Sequence, residues 1–408
     1  MRILFVHQNY PAQFRHLAPH LARDPRNEVV ALTIHGADAG DGVKIARCRL
    51  TRFPSKETHP WARDFEAKVI RGEALARGAL QLRNSGFRPD LVYAYPSFGE
   101  ALFMKDIFPR SRLVCYAEFY YRSEGLDVGF DAEFTPASDD KACSLRARNA
   151  HHLIALDACD LAISPTEWQR STFPPEFRHK IEVVHDGIDT DAIRPGTEVR
   201  ASIADLGVDL GQGDEVVTYV SRSLEPYRGF PTFMRALPEL QRLRPAAHVV
   251  IVGKDDVSYG AARKDGRSYK QAMLDEVGGN LDPGRIHFVG RIPHAAFVRL
   301  MQLSSAHVYL TYPFVLSWSV LEAMAVEAPL IASSTPPVCE VVQSGVNGRL
   351  VDFFDARGLA QAIADALENR AEWAELRRRA RETIVSRYDL KRICLPRQLA
   401  LLGIGAKS

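Results

Sequence analysis

Short apolar, β-branched runs alternate with longer stretches of helical period from one end of the chain to the other. In the first half, runs at 2–6, 28–34, 90–95, 112–117, 160–164 and 181–185 predict strands. Apolar residues recurring every three or four positions predict helices over 12–23, 63–84 and 142–158. The alternation stops between Asp189 and Gly211, where Pro, Gly and mixed charge predict a linker. It resumes with strands predicted at 215–220, 247–253, 285–289, 306–311 and 329–332, and helices at 229–242, 294–303, 319–326 and 356–368. Two more helices, 372–388 and 390–402, close the chain.

Strand–helix alternation requires crossover connections and therefore parallel sheets. Two series of similar length predict an α/β protein of two doubly wound, Rossmann-like domains facing a central cleft. Ligands are then expected outside the carboxyl ends of the strands. The expected division is 1–190, a linker at 191–212, a second domain at 213–385 and a terminal helix at 386–408.

Composition narrows the class. At 408 residues the chain can build two cores, and 46% hydrophobic with 25% charged residues is ordinary for a soluble globular protein. The net charge of +2, from 52 basic and 50 acidic residues, gives no case for nucleic acid. No run approaches the ~20 apolar residues of a membrane span. The apolar run before His7 is too short for a signal peptide. Six cysteines without CxxC or Cys/His spacing read as reduced thiols of a cytoplasmic protein.

The stretch 312–348, YPFVLSWSVLEAMAVEAPLIASSTPPVCEVVQSGVNG, carries the most chemistry. A strand runs into a polar loop, and the loop opens a helix bearing Ser317, Ser319 and Glu322. A second strand and a second helix start, at 336–340, follow. This arrangement puts backbone N–H groups at the carboxyl edge of a parallel sheet, where α/β proteins hold phosphate esters. Glu322, one turn into its helix, is placed to accept hydrogen bonds from sugar hydroxyls. Arg222 and Arg228 stand at the exit of the first strand of the second series and at the following helix start. Two cations there neutralise a diphosphate leaving group. The arrangement suits a nucleotide-sugar diphosphate; the competing reading is two surface arginines and a carboxylate that complements a helix dipole.

This stretch resembles the donor-site motif of the family 4 retaining glycosyltransferases, which have the two-domain GT-B fold. Their motif is a Glu, seven residues, a second Glu, then Ala-Met-Ala. Leu321-Glu322-Ala323-Met324-Ala325 matches, but Phe314 stands where the first Glu should be. Glu340 and Asn347-Gly348 fit the downstream pattern. YAEFYYRSEGLDVGFDAEF at 116–134 is similar to a bacterial subgroup with a distinctive amino-terminal domain.

The resemblance implies roles. Arg222 and Arg228 would hold the diphosphate, with Arg228 in place of the usual Lys. Gly253 would let the nucleotide approach, and Arg291 and Ile292 would hold the base through backbone groups. Ser317, Trp318 and Ser319 would face the phosphate, and Glu322 the ribose. Glu118 takes the place of a His that many relatives use near the transferred sugar. The implied reaction is retaining transfer from a UDP- or GDP-sugar to a glycan, lipid-linked or protein acceptor, in bacterial surface polysaccharide or glycoconjugate synthesis. No metal or other cofactor is implied, and the last helix is expected to cross back to the first domain.

On the acceptor side, His7, Asn9 and Gln13 follow the first strand and supply polar groups for a hydroxylated ligand. Tyr95 stands where the subgroup often has His. Tyr121, with Glu118, Tyr120, Arg122 and Asp127, forms an aromatic and acidic cluster suited to sugar rings, although an interdomain packing surface would look similar. Asp189-Thr190-Asp191 looks like the metal motif of a different transferase fold, but its linker position argues against a metal. No GxGxxG follows the first strand, which argues against a dinucleotide dehydrogenase. Cations along helix 63–84 are diluted by Asp64, Glu66 and Glu73; they suit a solvated face, or a weak peripheral contact at the inner face of a membrane. Two other functions stay open: a GT-B nucleotide-sugar 2-epimerase, and a non-catalytic nucleotide-sugar binding partner of another transferase. Phe314 favours the second of these.

Overall fold

The computed structural model describes residues 1–36, 40–196, 200–203, 208–211 and 213–404, with the backbone alone at 200–203 and 208. Contacts divide the chain into two units. Unit 1 comprises Met1–Gly129, Pro136–Asp186 and the chain from Cys394; unit 2 comprises Phe130–Thr135 and Gly187–Ile393. Two features depart from the contiguous division expected. A six-residue piece of the first half is packed into unit 2, and the change of unit falls at 186/187. The helix Leu395–Leu401 is counted with unit 1.

Unit 1 is built on seven parallel strands: β1 (Arg2–Val6), β2 (Glu28–Thr33), β3 (Lys44–Arg47), β4 (Leu91–Ala94), β5 (Arg112–Tyr116), β6 (Leu161–Ser164) and β7 (Ile181–Val183), in the order β3-β2-β1-β4-β5-β6-β7. Apolar side chains of the strands (Leu4, Val6, Leu32, Val92, Leu113) pack with Leu75, Ala79 and Met104 of the helices into one core. The helix expected over 12–23 divides into a 3-10 turn at Ala12–Phe14 and a helix at Leu17–Ala22. The one expected over 142–158 divides into Asp139–Arg148 and Ala150–Ala158. Between these two, the side chain of Asn149 turns away to bond the backbone N–H and C=O of Tyr121 (3.3 and 2.7 Å). Ser138 caps the first of them by accepting from Lys141 N–H.

In unit 2, six parallel strands follow the order β12-β11-β10-β13-β14-β15. In chain order they are β10 (Val216–Ser223), β11 (His248–Lys254), β12 (Ile286–Gly290), β13 (Ala306–Tyr309), β14 (Leu330–Ser333) and β15 (Arg349–Val351). Ahead of them, the expected linker holds a two-stranded antiparallel ribbon, β8 (Arg200–Ile203) with β9 (Val208–Gly211). The core joins Val216, Val250 and Leu330 to Leu300, Met301, Leu321 and Met324 from the helices. Each sheet thus has a point where the strand order reverses, between β1 and β4 in unit 1 and between β10 and β13 in unit 2. Crevices of doubly wound sheets open at the carboxyl ends on either side of such a point. Among the described residues no helix is long and apolar enough to cross a membrane.

Candidate functional site

In unit 1 the reversal point collects polar side chains. His7 follows β1 and Tyr95 follows β4, and their rings stack with centroids 4.5 Å apart. The backbone N–H of Asn9 donates to His7 Nδ1 (2.9 Å), so the ring proton sits on Nε2 and is donated to Gln13 Oε1 (3.0 Å). Gln13 Nε2 donates to Glu118 Oε1 (3.0 Å), and the Tyr95 hydroxyl donates to Glu118 Oε2. Burial pulls His7 down to about 4, opposed by its bond to Gln13, so the imidazole is neutral near pH 7. Burial and then the charge of Glu118 push the Tyr95 hydroxyl well above its ordinary value. Four expected residues (His7, Gln13, Tyr95 and Glu118) therefore form one hydrogen-bonded chain that ends on a half-buried carboxylate.

The remaining acceptor-side candidates do not join that chain. Asn9 takes part through its backbone only, and the residue is exposed. Tyr121 is held by Asn149, with the Arg148 guanidinium 3.9 Å from its ring centroid. Arg122 bonds the Thr172 carbonyl (2.9 Å).

Beneath this chain lies Glu100, fully buried, which accepts the backbone N–H groups of Gln8 (3.2 Å) and Phe98 (2.9 Å). It thereby ties together the loops that follow β1 and β4. Burial raises its carboxyl to about 7; hydrogen bonds and Lys68 oppose the shift.

Unit 2 presents a second polar edge. Arg222 is exposed at the carboxyl end of β10, where the register with β11 shifts between Val220 and Ser223. Arg228 is only 5% exposed. Its Nη1 donates to the Tyr309 hydroxyl (2.9 Å), Thr311 Oγ1 (2.7 Å) and the Val315 carbonyl (3.0 Å). Tyr309 in turn accepts the backbone N–H of Ser317 (2.9 Å), and Ser317 Oγ accepts that of Ser319. At the start of the helix Trp318–Ala325, expected to face the phosphate, the N–H groups of Ser317 and Ser319 thus have protein acceptors, with Arg228 bracing the loop they belong to. Phe314, where the family motif has its first acid, is buried edge-on to Tyr227 and Tyr259, and its ring centroid lies 5.9 Å from the Arg228 guanidinium.

Glu322 is buried, and its Oε1 lies 2.9 Å from Nε2 of His294, the first residue of the helix His294–Leu303. That helix begins just past the turn carrying exposed Arg291 and half-buried Ile292. Gly253 has a packing reason inside the fold: a Cβ there would come within 2.8 Å of Leu224 Cδ2 and 3.0 Å of Ser221 Oγ. At Gly290 the backbone is left-handed (φ 64°) and the space beside it is open. The Asp-x-Asp pair is engaged in ion pairs, Asp189 and Asp191 with Lys391 (3.0 Å each) and Asp191 with Arg392 (3.0 Å). Lys68, expected on a solvated cationic face, is buried beside Asp64.

Sequence reasoning missed three residues at these edges. Glu225 is fully buried and accepts backbone N–H groups of Ser258, Tyr259 and Gly260 (2.8–3.2 Å), fixing the loop after β11. His294 and Tyr259 are the others. A lone acid before Pro226, and a His and a Tyr in loops or at a helix start, carry no periodic signal, so only the contacts identify them.

Two parallel α/β sheets, each with polar side chains gathered at the carboxyl edge beside its reversal point, define the GT-B architecture. The crystal structure of Anabaena HepE in complex with UDP and glucose has the same fold, with a TM-score of 0.68 at 19% identity over 98% of both chains. Residues 25–193 match the family model described as glycosyl transferase family 4 group, and residues 208–384 that of glycosyl transferases group 1. The chain belongs to the family 4 glycosyltransferases.

Among curated relatives, the D-inositol 3-phosphate glycosyltransferase of Mycobacterium avium is 29% identical over 201 residues, covering 49% of this chain and 44% of its own length. The match thus spans less than half of that relative. A glycogen synthase of Mycobacterium tuberculosis is 24% identical over 95% of this chain and 91% of its own.

Proposed function

We propose that this chain is a retaining glycosyltransferase. It moves a sugar from a UDP- or GDP-sugar to a glycan, lipid-linked or protein acceptor, without a metal ion. The observation that carries this reading is Glu322: a buried carboxylate at the carboxyl edge of the unit 2 sheet, steadied by His294, inside a Leu-Glu-Ala-Met-Ala sequence. Arg222 and Arg291, both exposed at the same edge, supply charge for a diphosphate, and Arg228 acts by holding the 311–317 loop in place. Family membership and the UDP and glucose bound to HepE support the donor class. In unit 1, the chain from His7 to Glu118 offers a fixed acceptor set for sugar hydroxyls. The protein contributes positioning and charge stabilisation, and the departing phosphate takes the acceptor proton.

The experiment is a thermal-shift screen against UDP, GDP, ADP and their sugar conjugates, with and without magnesium. A ligand at 100 times its Kd adds about 2.7 kcal/mol of stability. A metal-independent shift with one base, lost in Glu322→Ala while the unliganded melting profile stays cooperative, is the expected result. Undiminished nucleotide affinity in that variant would remove Glu322 from the site.

Phe314 favours a second reading, since it places an apolar ring, not a carboxylate, beside Arg228. A donor-binding protein without activity would show the thermal shift but neither transfer nor hydrolysis of the donor.

A further inference from the structure

The opposite, amino-terminal edge of the unit 2 sheet carries a cavity of about 250 Å³. Ser305 and Pro329, the residues immediately before β13 and β14, line it together with Ser304 and Gln302. Its other wall is the helix Arg370–Arg387, which contributes Arg370, Trp373 and Arg377. That i, i+3, i+7 spacing sets all three on one helix face. All strands of the sheet are parallel, so this edge is a full strand away from Arg222 and Glu322, about 13 Å for the four residues of β13.

Both cations in the wall are bonded to backbone carbonyls. Arg377 donates through Nε to the Glu327 carbonyl (2.6 Å), and Arg370 through Nη2 to the Asp214 carbonyl (3.2 Å). Neither forms an ion pair among the described residues, and no acid is among the residues lining the cavity. Burial holds Arg377 below the usual arginine range; the nearby charge of Glu327 opposes this and that of Arg370 adds to it. Trp373 Nε1 donates to Asp365 (3.1 Å), which fixes the indole between the two arginines along the helix.

Two guanidinium groups about two helix turns apart, with no carboxylate lining the cavity, supply the charge and the paired N–H donors that the oxygens of a phosphate monoester accept. The volume lies below the ~300 Å³ at which pockets for drug-sized ligands begin, which excludes a nucleotide-sugar and admits a small metabolite. We propose that this cavity binds a small phosphate monoester, its phosphate between Arg370 and Arg377 and the rest against Trp373 and Gln302.

The test is isothermal titration of the full chain with a hexose 6-phosphate, inorganic phosphate and, as a neutral control, glucose. The hexose phosphate should bind at millimolar or lower concentration and glucose should not. Arg370→Ala, an exposed position whose change leaves the core intact, should weaken binding at least tenfold, and Arg377→Ala likewise. Inorganic phosphate binding as tightly as the sugar phosphate would support the site and assign recognition to the phosphate group alone. Tighter binding of the sugar phosphate would assign part of it to Trp373 and Gln302. Absence of binding by either phosphate, or equal affinity in wild type and Arg370→Ala, would overturn the proposal.

Discussion

Replacing Glu100 with Gln should flatten a pH dependence that the folded chain owes to one buried proton. Glu100 is fully buried, and burial lifts its carboxyl from 4.5 to about 7. The folded chain therefore keeps this proton over a range in which the unfolded chain has released it. Between those two values the folded state binds more protons, so stability is highest below pH 4.5, falls as the pH rises towards 7 and is level above. A gap of about 2.5 pH units, at about 1.36 kcal/mol each, makes the fall roughly 3 kcal/mol. His7, held down to about 4, changes stability in the opposite direction, which is why the difference between two proteins must be read. Urea unfolding of wild type and Glu100→Gln at pH 4.5, 6 and 7.5, followed by fluorescence, gives that difference. The variant should gain on wild type by roughly 3 kcal/mol from the lowest to the highest pH. Parallel stability curves would mean that Glu100 is ionised in the folded state and that its two N–H partners outweigh its burial.

Two other substitutions probe unit 2. Arg228→Ala removes the shared donor of Tyr309, Thr311 and Val315; donor affinity should fall at least tenfold and stability by about 1–3 kcal/mol, whereas an unchanged donor Kd would show that the 311–317 loop needs no brace. Gly229→Ala puts a Cβ 2.4 Å from Leu310 Cβ at a left-handed φ of 67°, and chemical denaturation should show a loss of roughly 2–5 kcal/mol; a loss under about 1 kcal/mol would mean that the backbone relaxes freely there.

Much of both sheets was legible because buried parallel strands read as continuous apolar runs, as at 216–220 and 249–252. The edge strands β3 and β15 escaped. Lys44-Ile45-Ala46-Arg47 is four residues with a cation at each end, and Arg349–Val351 is three residues long, so neither forms an apolar run. Helix 142–158 read as unbroken because Asn149 differs from its neighbours only in where its side chain bonds, and periodicity does not carry that information. The same limit applied at the sites. Ser317, Glu322, His7, Gln13, Tyr95 and Glu118 could be picked out because they follow strands in a doubly wound order. That Arg228 is buried among Tyr309, Thr311 and Val315, that Lys68 leaves its cationic face, and that Glu225 settles among three backbone amides all depend on residues distant in sequence.

Phe130–Thr135 gives the molecule an uncommon kind of inheritance. Asp131 accepts the Tyr312 hydroxyl (2.8 Å), Glu133 grips Arg235 through two bonds (2.9 and 2.8 Å), and Phe130 covers Tyr312 and Phe353. These six residues lie within the stretch that matches the family 4 model, yet they complete the unit that matches the group 1 model. The chain accordingly changes unit at 129/130, 135/136, 186/187 and 393/394. A recombination event that joined one ancestor's first half to another's second half at a single crossover would hand Tyr312, Arg235 and Phe353 a foreign clasp. An exchange of halves that keeps these contacts therefore needs residues 130–135 to travel with Tyr312, Arg235 and Phe353.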